Sequence, residues 1–176
     1  MSASMQVRGI LIALALTVLN AKQLHADEIA NPGFEQELAE WVLNLDYGMT
    51  TVSPEAARTG KLGLRITDTS PKQGSSATSL EMSVEPGAKY KLSAWGRGID
   101  GTGGVGLYLR FLDDRGKTIA KPKAVVVPSS AREWTQYTLE AVAPEGAAAM
   151  DVWIHSLAAD MPVVDIDDLE LTVVTP

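Results

Sequence analysis

The chain has 176 residues, with 22 Asp and Glu against 15 Lys and Arg, for a formal charge of −7. That acidity argues against nucleic acid and anionic membrane surfaces as partners, and it is compatible with neutral ligands and bound cations. There is no Cys, which excludes disulfides and thiolate nucleophiles.

The N-terminus reads as a secretory signal. Arg8 precedes an apolar run over residues 10–19 that only Thr17 interrupts. The run is shorter than the ~20 residues a membrane-spanning helix needs, but it suits the apolar region of a signal peptide. Leu24-His25-Ala26 supplies a cleavage site. The expected organisation is a signal peptide over residues 1–26 and one domain over 27–176, a chain long enough to bury its own core. Cleavage removes Arg8 and Lys22 and no acid, so the remainder is more acidic still. Export without disulfides suits a secreted or periplasmic protein of a bacterial envelope, with no membrane span after cleavage.

Beyond residue 26 the pattern is short runs of period-two alternation broken by Gly and Pro, which predicts strands and turns. Asn31-Pro32-Gly33 is a turn, and Phe34 enters the core. Residues 41–45 alternate Trp41, Leu43 and Leu45, a first strand. Residues 54–58 form a loop or a single helical turn. Leu62, Leu64 and Ile66 share one strand face, with Lys61 and Arg65 opposite, and residues 70–76 are a polar loop. Leu80, Met82 and Val84 alternate with Glu81, Ser83 and Glu85, then Pro86-Gly87 turns the chain. Tyr90, Leu92 and Ala94 follow, and residues 98–104 read as a glycine-rich hairpin loop.

Val105, Leu107, Leu109 and Phe111 make the cleanest strand, with Tyr108 and Arg110 on its other face. Asp113 to Lys117 is a charged turn. Short strands follow at residues 125–127, at Tyr137, Leu139 and Ala141, and at Met150, Val152 and Ile154. In the last of these, Asp151, Trp153 and His155 face the other way.

The final strand changes phase. Val164 and Ile166 are even, whereas Leu169, Leu171 and Val173 are odd. Only an inserted residue keeps one face inward across that shift, so a β-bulge is expected at Asp167-Asp168. Two adjacent carboxylates there repel unless a positive group lies close by. Eight to ten short strands with turns between them give an all-β fold, a β-sandwich.

Several segments in order resemble the carbohydrate-binding modules of families four, nine and twenty-two. They are Asn31-Pro32-Gly33-Phe34-Glu35, Trp41, the segment 56–64, Val84-Glu85-Pro86-Gly87 leading into Tyr90 to Trp95, Glu133-Trp134, and Asp165 to Leu169. The resemblance implies a jelly-roll sandwich of the galactose-binding-like fold. It also implies a structural calcium joining the N-terminal turn to the last strand. Its ligands would be a carbonyl at Gly33, the Glu35 carboxylate, Thr59, the Leu62 carbonyl and Asp167. Calcium takes six to eight hard oxygens, and a cation would relieve the crowding of Asp167 and Asp168.

The resemblance places a sugar site in a groove on the concave sheet. From the alternation, its candidates are Tyr108 and Arg110 on one strand and Trp153 and His155 on another. His155 matches a position where xylan-binding relatives use a histidine. The chain departs from those relatives in the 70–76 loop, where Gln73 stands in place of a stacking Trp.

Nothing points to chemistry of the chain's own. If His25 leaves with the signal, His155 is the only histidine, which cannot build a multi-histidine zinc site. There is no Gly-x-Ser-x-Gly elbow. Asp113-Asp114, the obvious pair for glycoside hydrolysis, sits in a turn beside Arg115 and Lys117 and reads as solvated. The expectation is a non-catalytic protein that binds a poly- or oligosaccharide. The alternative is a calcium-stabilised structural or protein-interaction domain that binds no sugar.

Overall fold

The structure is a computed structural model and describes residues 28–157 and 159–174. The expected signal segment, including Arg8 and Ala26, lies outside the described residues. Eleven strands are present among the described residues: β1 (Trp41–Val42), β2 (Thr50–Ser53), β3 (Gly63–Thr67), β4 (Ala77–Ser79), β5 (Met82–Ser83), β6 (Lys89–Gly101), β7 (Gly104–Leu112), β8 (Lys123–Pro128), β9 (Thr135–Val142), β10 (Ala149–Ser156) and β11 (Pro162–Val174). They form two antiparallel sheets, ordered β1-β4-β10-β7-β8 and β2-β3-β11-β6-β9, with β5 also pairing β10. A 3-10 turn at Pro54–Ala56 is the helical element among the described residues, where the Pro ring fixes φ in the helical range.

Most of the expected core is observed, although Val173, expected to face inward after the bulge, is 43% exposed. Leu107, Leu109, Val152 and Ile154 of the first sheet face Leu64, Ile66, Leu92 and Ile166 of the second, all buried. Burying one such side chain stabilises by about 1.5–3 kcal/mol, so the two inner faces drive the sheets together. Phe34 packs against Trp41 at 5.2 Å between ring centroids and closes one end.

Three expectations need correction. The first strand stops at Val42, because Leu45 takes a left-handed φ of 56° and its side chain is 77% exposed. The run through Leu80 and Met82 is broken into β4 and β5, with Leu80 exposed between them. The glycine-rich stretch after Arg97 is mostly strand: β6 runs to Gly101, and the turn occupies only the residues between it and Gly104.

The bulge lies where the phase change puts it. β11 slips register against β6 between Asp167 and Glu170, and Asp168 adopts a φ of 49°. Val164 and Ile166 are buried before it and Leu169 after it.

The outer face of the second sheet carries a charged ladder. Asp165 is paired across β11 with Arg65 of β3 and Arg97 of β6. Arg65 donates Nε and Nη2 to its two oxygens at 2.7 and 2.9 Å, and Arg97 donates Nε and Nη2 to Oδ2 at 3.1 and 3.0 Å. Arg97 also lies over Trp134. Planar guanidinium groups suit both the carboxylate and the indole.

Candidate functional site

Tyr108, Arg110, Trp153 and His155 share the outer face of the first sheet. Their alternation partners Leu107, Leu109, Val152 and Ile154 are buried, and period two sends the other set outward. Register then brings them together. Tyr108 is opposite Trp153, Arg110 opposite Asp151, and His155 opposite Gly106.

The rings form one cluster. Trp153 and His155 stack at 4.3 Å and 15°, and Tyr108 leans on Trp153 at 4.9 Å and 39°. Arg110 sits over Trp153, its Cζ 5.0 Å from the ring centroid. Arg110 lies level with Asp151 and His155 lies on the other side along β10, so the two cover opposite faces of the indole. Trp153 therefore presents an edge. Tyr108 lies flatter: a Cβ built on Gly106 would stand 2.3 Å from its Cε2 and 2.9 Å from its hydroxyl oxygen. The ring tip thus reaches over Gly106, and Tyr108 stays partly exposed.

The polar groups are held in place. Asp151, buried, accepts Nε and Nη2 of Arg110 at 2.7 Å each. That bidentate pair balances the charge and leaves Nη1 to donate elsewhere. Trp153 Nε1 donates to Ser76 Oγ at 3.0 Å. His155 Nδ1 bonds the Ser75 carbonyl. A carbonyl only accepts, so Nδ1 carries the proton and Nε2 of the neutral ring is an acceptor.

The 70–76 loop is pinned against β10 by buried polar groups. Ser75 N donates to Ser156 Oγ at 2.8 Å, Ser156 N to Ser75 Oγ at 3.1 Å, and Ser156 Oγ to Asp68 Oδ2 at 2.5 Å. Gly74 lets the loop approach so closely, because a Cβ there would meet the Ser156 carbonyl oxygen at 1.9 Å. Gln73 is exposed on this loop. Alternation put Asp151 on the outer face with Trp153, but sequence reasoning did not single it out as a partner of the site, nor did it single out Ser75, Ser76 or Gly106. The two serines become partners only through the loop's packing.

Of the residues implied as calcium ligands, Glu35 bonds the 61–62 main chain and Asp167 the 58–59 main chain, and among the described residues no three Asp, Glu or His side chains cluster closely enough to hold a metal. Glu35 Oε1 accepts Lys61 N and Leu62 N at 2.8 and 3.0 Å. Those main-chain groups, Leu62 first, hold its carboxyl below the ordinary range. Asp167 Oδ2 accepts Arg58 N and Thr59 N at 2.7 and 3.2 Å, and Oδ1 accepts Asp168 N at 2.8 Å. Burial nevertheless pushes the Asp167 carboxyl up. Among the described residues its hydrogen-bond donors are all main-chain, and Arg58 pairs with Asp168 instead. A carboxylate oxygen has two acceptor sites. Oδ1, with one to spare, is the oxygen beside Gly33, 3.6 Å from where a Cβ would stand. A buried carboxylate with no side-chain countercharge, next to a glycine backbone and a second carboxylate, fits a hard cation.

Asp113 and Asp114 do not form a site. Asp113 Oδ1 accepts Arg115 N and Lys117 N, both at 2.9 Å, and Asp114 is fully on the surface.

A model of the carbohydrate binding domain CBM_4_9 matches residues 26–160. The chain belongs to this family of carbohydrate binding domains. Solved structures agree on the fold. The structure titled family 16 carbohydrate binding module 2 is 16% identical with a TM-score of 0.63, covering 82% of this chain and 98% of that one. A module titled CBM61, solved with β-1,4-galactotriose, is 23% identical with a TM-score of 0.55, covering 83% and 97%. The tandem family 22 modules of Paenibacillus barcinonensis Xyn10C are 16% identical with a TM-score of 0.63, covering 89% and 47%. No curated protein matches the chain.

Proposed function

We propose that this protein is an exported, non-catalytic carbohydrate-binding protein that takes a neutral, β-linked glycan on the outer face of the sheet β1-β4-β10-β7-β8. The observation that carries the reading is the cluster of Tyr108, Trp153, His155 and Arg110 on that face. The exposed part of Tyr108 offers a pyranose ring an apolar surface. Arg110 Nη1 and His155 Nε2 offer one donor and one acceptor for hydroxyls, the mix a small-ligand site requires. Asp151 cancels the charge of Arg110, so the face has no excess cation to favour a polyanion. With one ring partly exposed and no Trp in the 70–76 loop, binding should be weak, with dissociation constants of roughly 10–1000 μM, or about −4 to −7 kcal/mol.

The proposal includes a structural calcium held by the Gly33 carbonyl, Glu35, Thr59, the Leu62 carbonyl and Asp167. When bound it would supply the countercharge that the buried Asp167 lacks. Export to the periplasm or medium predicts a mature N-terminus near Asp27, which intact mass checks.

The deciding experiment is a glycan array followed by calorimetry on the purified mature protein, with Tyr108→Ala alongside. Binding lost in Tyr108→Ala with the melting temperature kept supports the reading. The covering of Trp153 on both faces favours a second reading, a calcium-stabilised protein-interaction domain, and absence of binding across plant and microbial polysaccharides would select it.

A further inference from the structure

The two ordered sheets end on four strands, β1 and β8 in the first and β2 and β9 in the second. An end strand carries unpaired N–H and C=O groups along its free side, and proteins blunt such edges with short strands, Lys, Pro or bulges. Three of the four are blunted. β1 has two residues, β2 has four and runs into Pro54, and β8 opens on Lys123 and closes on Pro128.

β9 has none of these devices. It reads Thr-Gln-Tyr-Thr-Leu-Glu-Ala-Val, without Lys, Arg, Pro or Gly, and it pairs β6 over eight consecutive residues with no slip of register. Every second residue therefore aims its main-chain groups away from β6. Among the described residues, no main-chain hydrogen bond reaches them from that side. The outer-face side chains Gln136, Thr138, Glu140 and Val142 are exposed, whereas Leu139 and Ala141 are buried and Tyr137 packs on the core from the edge. The one charge on β9 is Glu140, which Lys89 of β6 neutralises.

This edge is complementary to itself. Consider two copies of β9 laid antiparallel about a twofold axis through Thr138. Thr138 then faces its own copy, Gln136 faces Glu140 on either side of it, and Tyr137 faces Leu139 on the inner face. Each is a pair that stabilises an antiparallel sheet: hydroxyl on hydroxyl, amide donor on carboxylate, aromatic on aliphatic. Moving the axis to Leu139 sets Gln136 against Val142, and moving it to Glu140 sets carboxylate against carboxylate. A one-residue slip turns every side chain of one copy to the wrong face. The axis through Thr138 is perpendicular to the sheet, so both copies turn the face that carries Tyr108 and Trp153 to the same side.

We propose that β9 is a self-association edge, and that the protein forms a symmetric dimer in which the second sheets of two copies join, β9 to β9, into one antiparallel sheet with five strands from each copy. A single strand pair is a small contact, so the dimer is a weak one.

The test uses the mature protein. The chain has no Cys, so single introduced thiols report the register. Opposed Cα atoms in an antiparallel pair stand about 4.5–5.5 Å apart, within disulfide reach. Thr138→Cys should cross-link to its own copy under mild oxidation. Gln136→Cys and Glu140→Cys should each fail to link to themselves, because like positions lie four residues, or about 14 Å, out of register. Mixed together, those two variants should link to each other. Thr138→Lys should weaken association at least tenfold in analytical ultracentrifugation from about 1 μM to about 1 mM, with the melting temperature kept, because it sets like charges opposite each other on an exposed position. Wild type that sediments as a monomer throughout that range overturns the proposal and leaves the edge to an extended segment of a different protein. A dimer that Thr138→Lys leaves intact, or one in which Gln136→Cys links to itself as fast as Thr138→Cys, overturns it as well.

Discussion

The ring of Tyr108 occupies the space that a side chain at Gly106 would fill, with Cε2 2.3 Å and Cζ 2.8 Å from where a Cβ would stand. Glycine is needed here for clearance: its φ is not in the left-handed region. The pair decides whether the aromatic face lies along the sheet or stands away from it. Gly106→Ala should tilt the ring and weaken glycan binding about tenfold, or ~1.4 kcal/mol. The fold should tolerate the change, because the atoms displaced belong to a half-buried side-chain tip. Calorimetry paired with thermal melting checks this, and an unchanged dissociation constant would show that the flat pose is irrelevant to binding.

Asp165 should be the most sensitive ionic position. It is fully buried and accepts four hydrogen bonds from Arg65 and Arg97. Breaking a buried pair by removing one partner costs about 3–5 kcal/mol. Both arginines keep about a quarter of their side chains exposed, so water can take up part of the freed charge. Asp165→Ala is expected to cost ~2 kcal/mol, a fall in melting temperature of roughly 4–8 °C for a domain of this size. A change within ±0.5 kcal/mol would mean the ladder contributes only what an exposed pair does.

Chelation tests the proposed calcium. A ligand that binds only the folded state stabilises it by ~2.7 kcal/mol at a hundredfold excess over its dissociation constant, very roughly 5–10 °C here. Calcium should raise the melting temperature of metal-free protein and chelator should lower it again. Asp167→Ala should be destabilised even without metal, since three main-chain N–H groups lose their acceptor. Its diagnostic property is the lost response to calcium. A metal-free wild type that melts identically with and without calcium would remove the ion from the account.

The hairpin turn at Asp113 predicts an acid dependence. The N–H groups of Lys117 and Arg115 hold this carboxyl below the ordinary Asp range. A carboxyl depressed in the folded state contributes stability above its unfolded pKa of ~3.9, and that contribution is lost as pH falls through the lower folded value. Carboxyl NMR should find Asp113 titrating below the ordinary Asp value of ~3.9. A value at or above it would mean the turn opens in solution.

Much of this protein is decided locally. Strand direction and face follow from period-two alternation, because each side chain points opposite to its neighbour wherever the backbone is extended. For that reason Leu107 and Leu109 could be assigned to the core, Tyr108 and Arg110 to the outside, and the bulge to Asp167-Asp168, from residue order alone. The same rule misjudged Leu45, where the backbone leaves the extended region to satisfy Asp46.

What only the tertiary structure decided are the partners. Arg110 meets Asp151 across 41 residues, and Arg65 meets Asp165 across 100. The covering of Trp153 on both faces depends on which strands lie side by side and in what register, and alternation carries no information about either. Strand order is set by how whole sheets bury their inner faces together. The site on the outer face is therefore assembled by contacts made in the core beneath it.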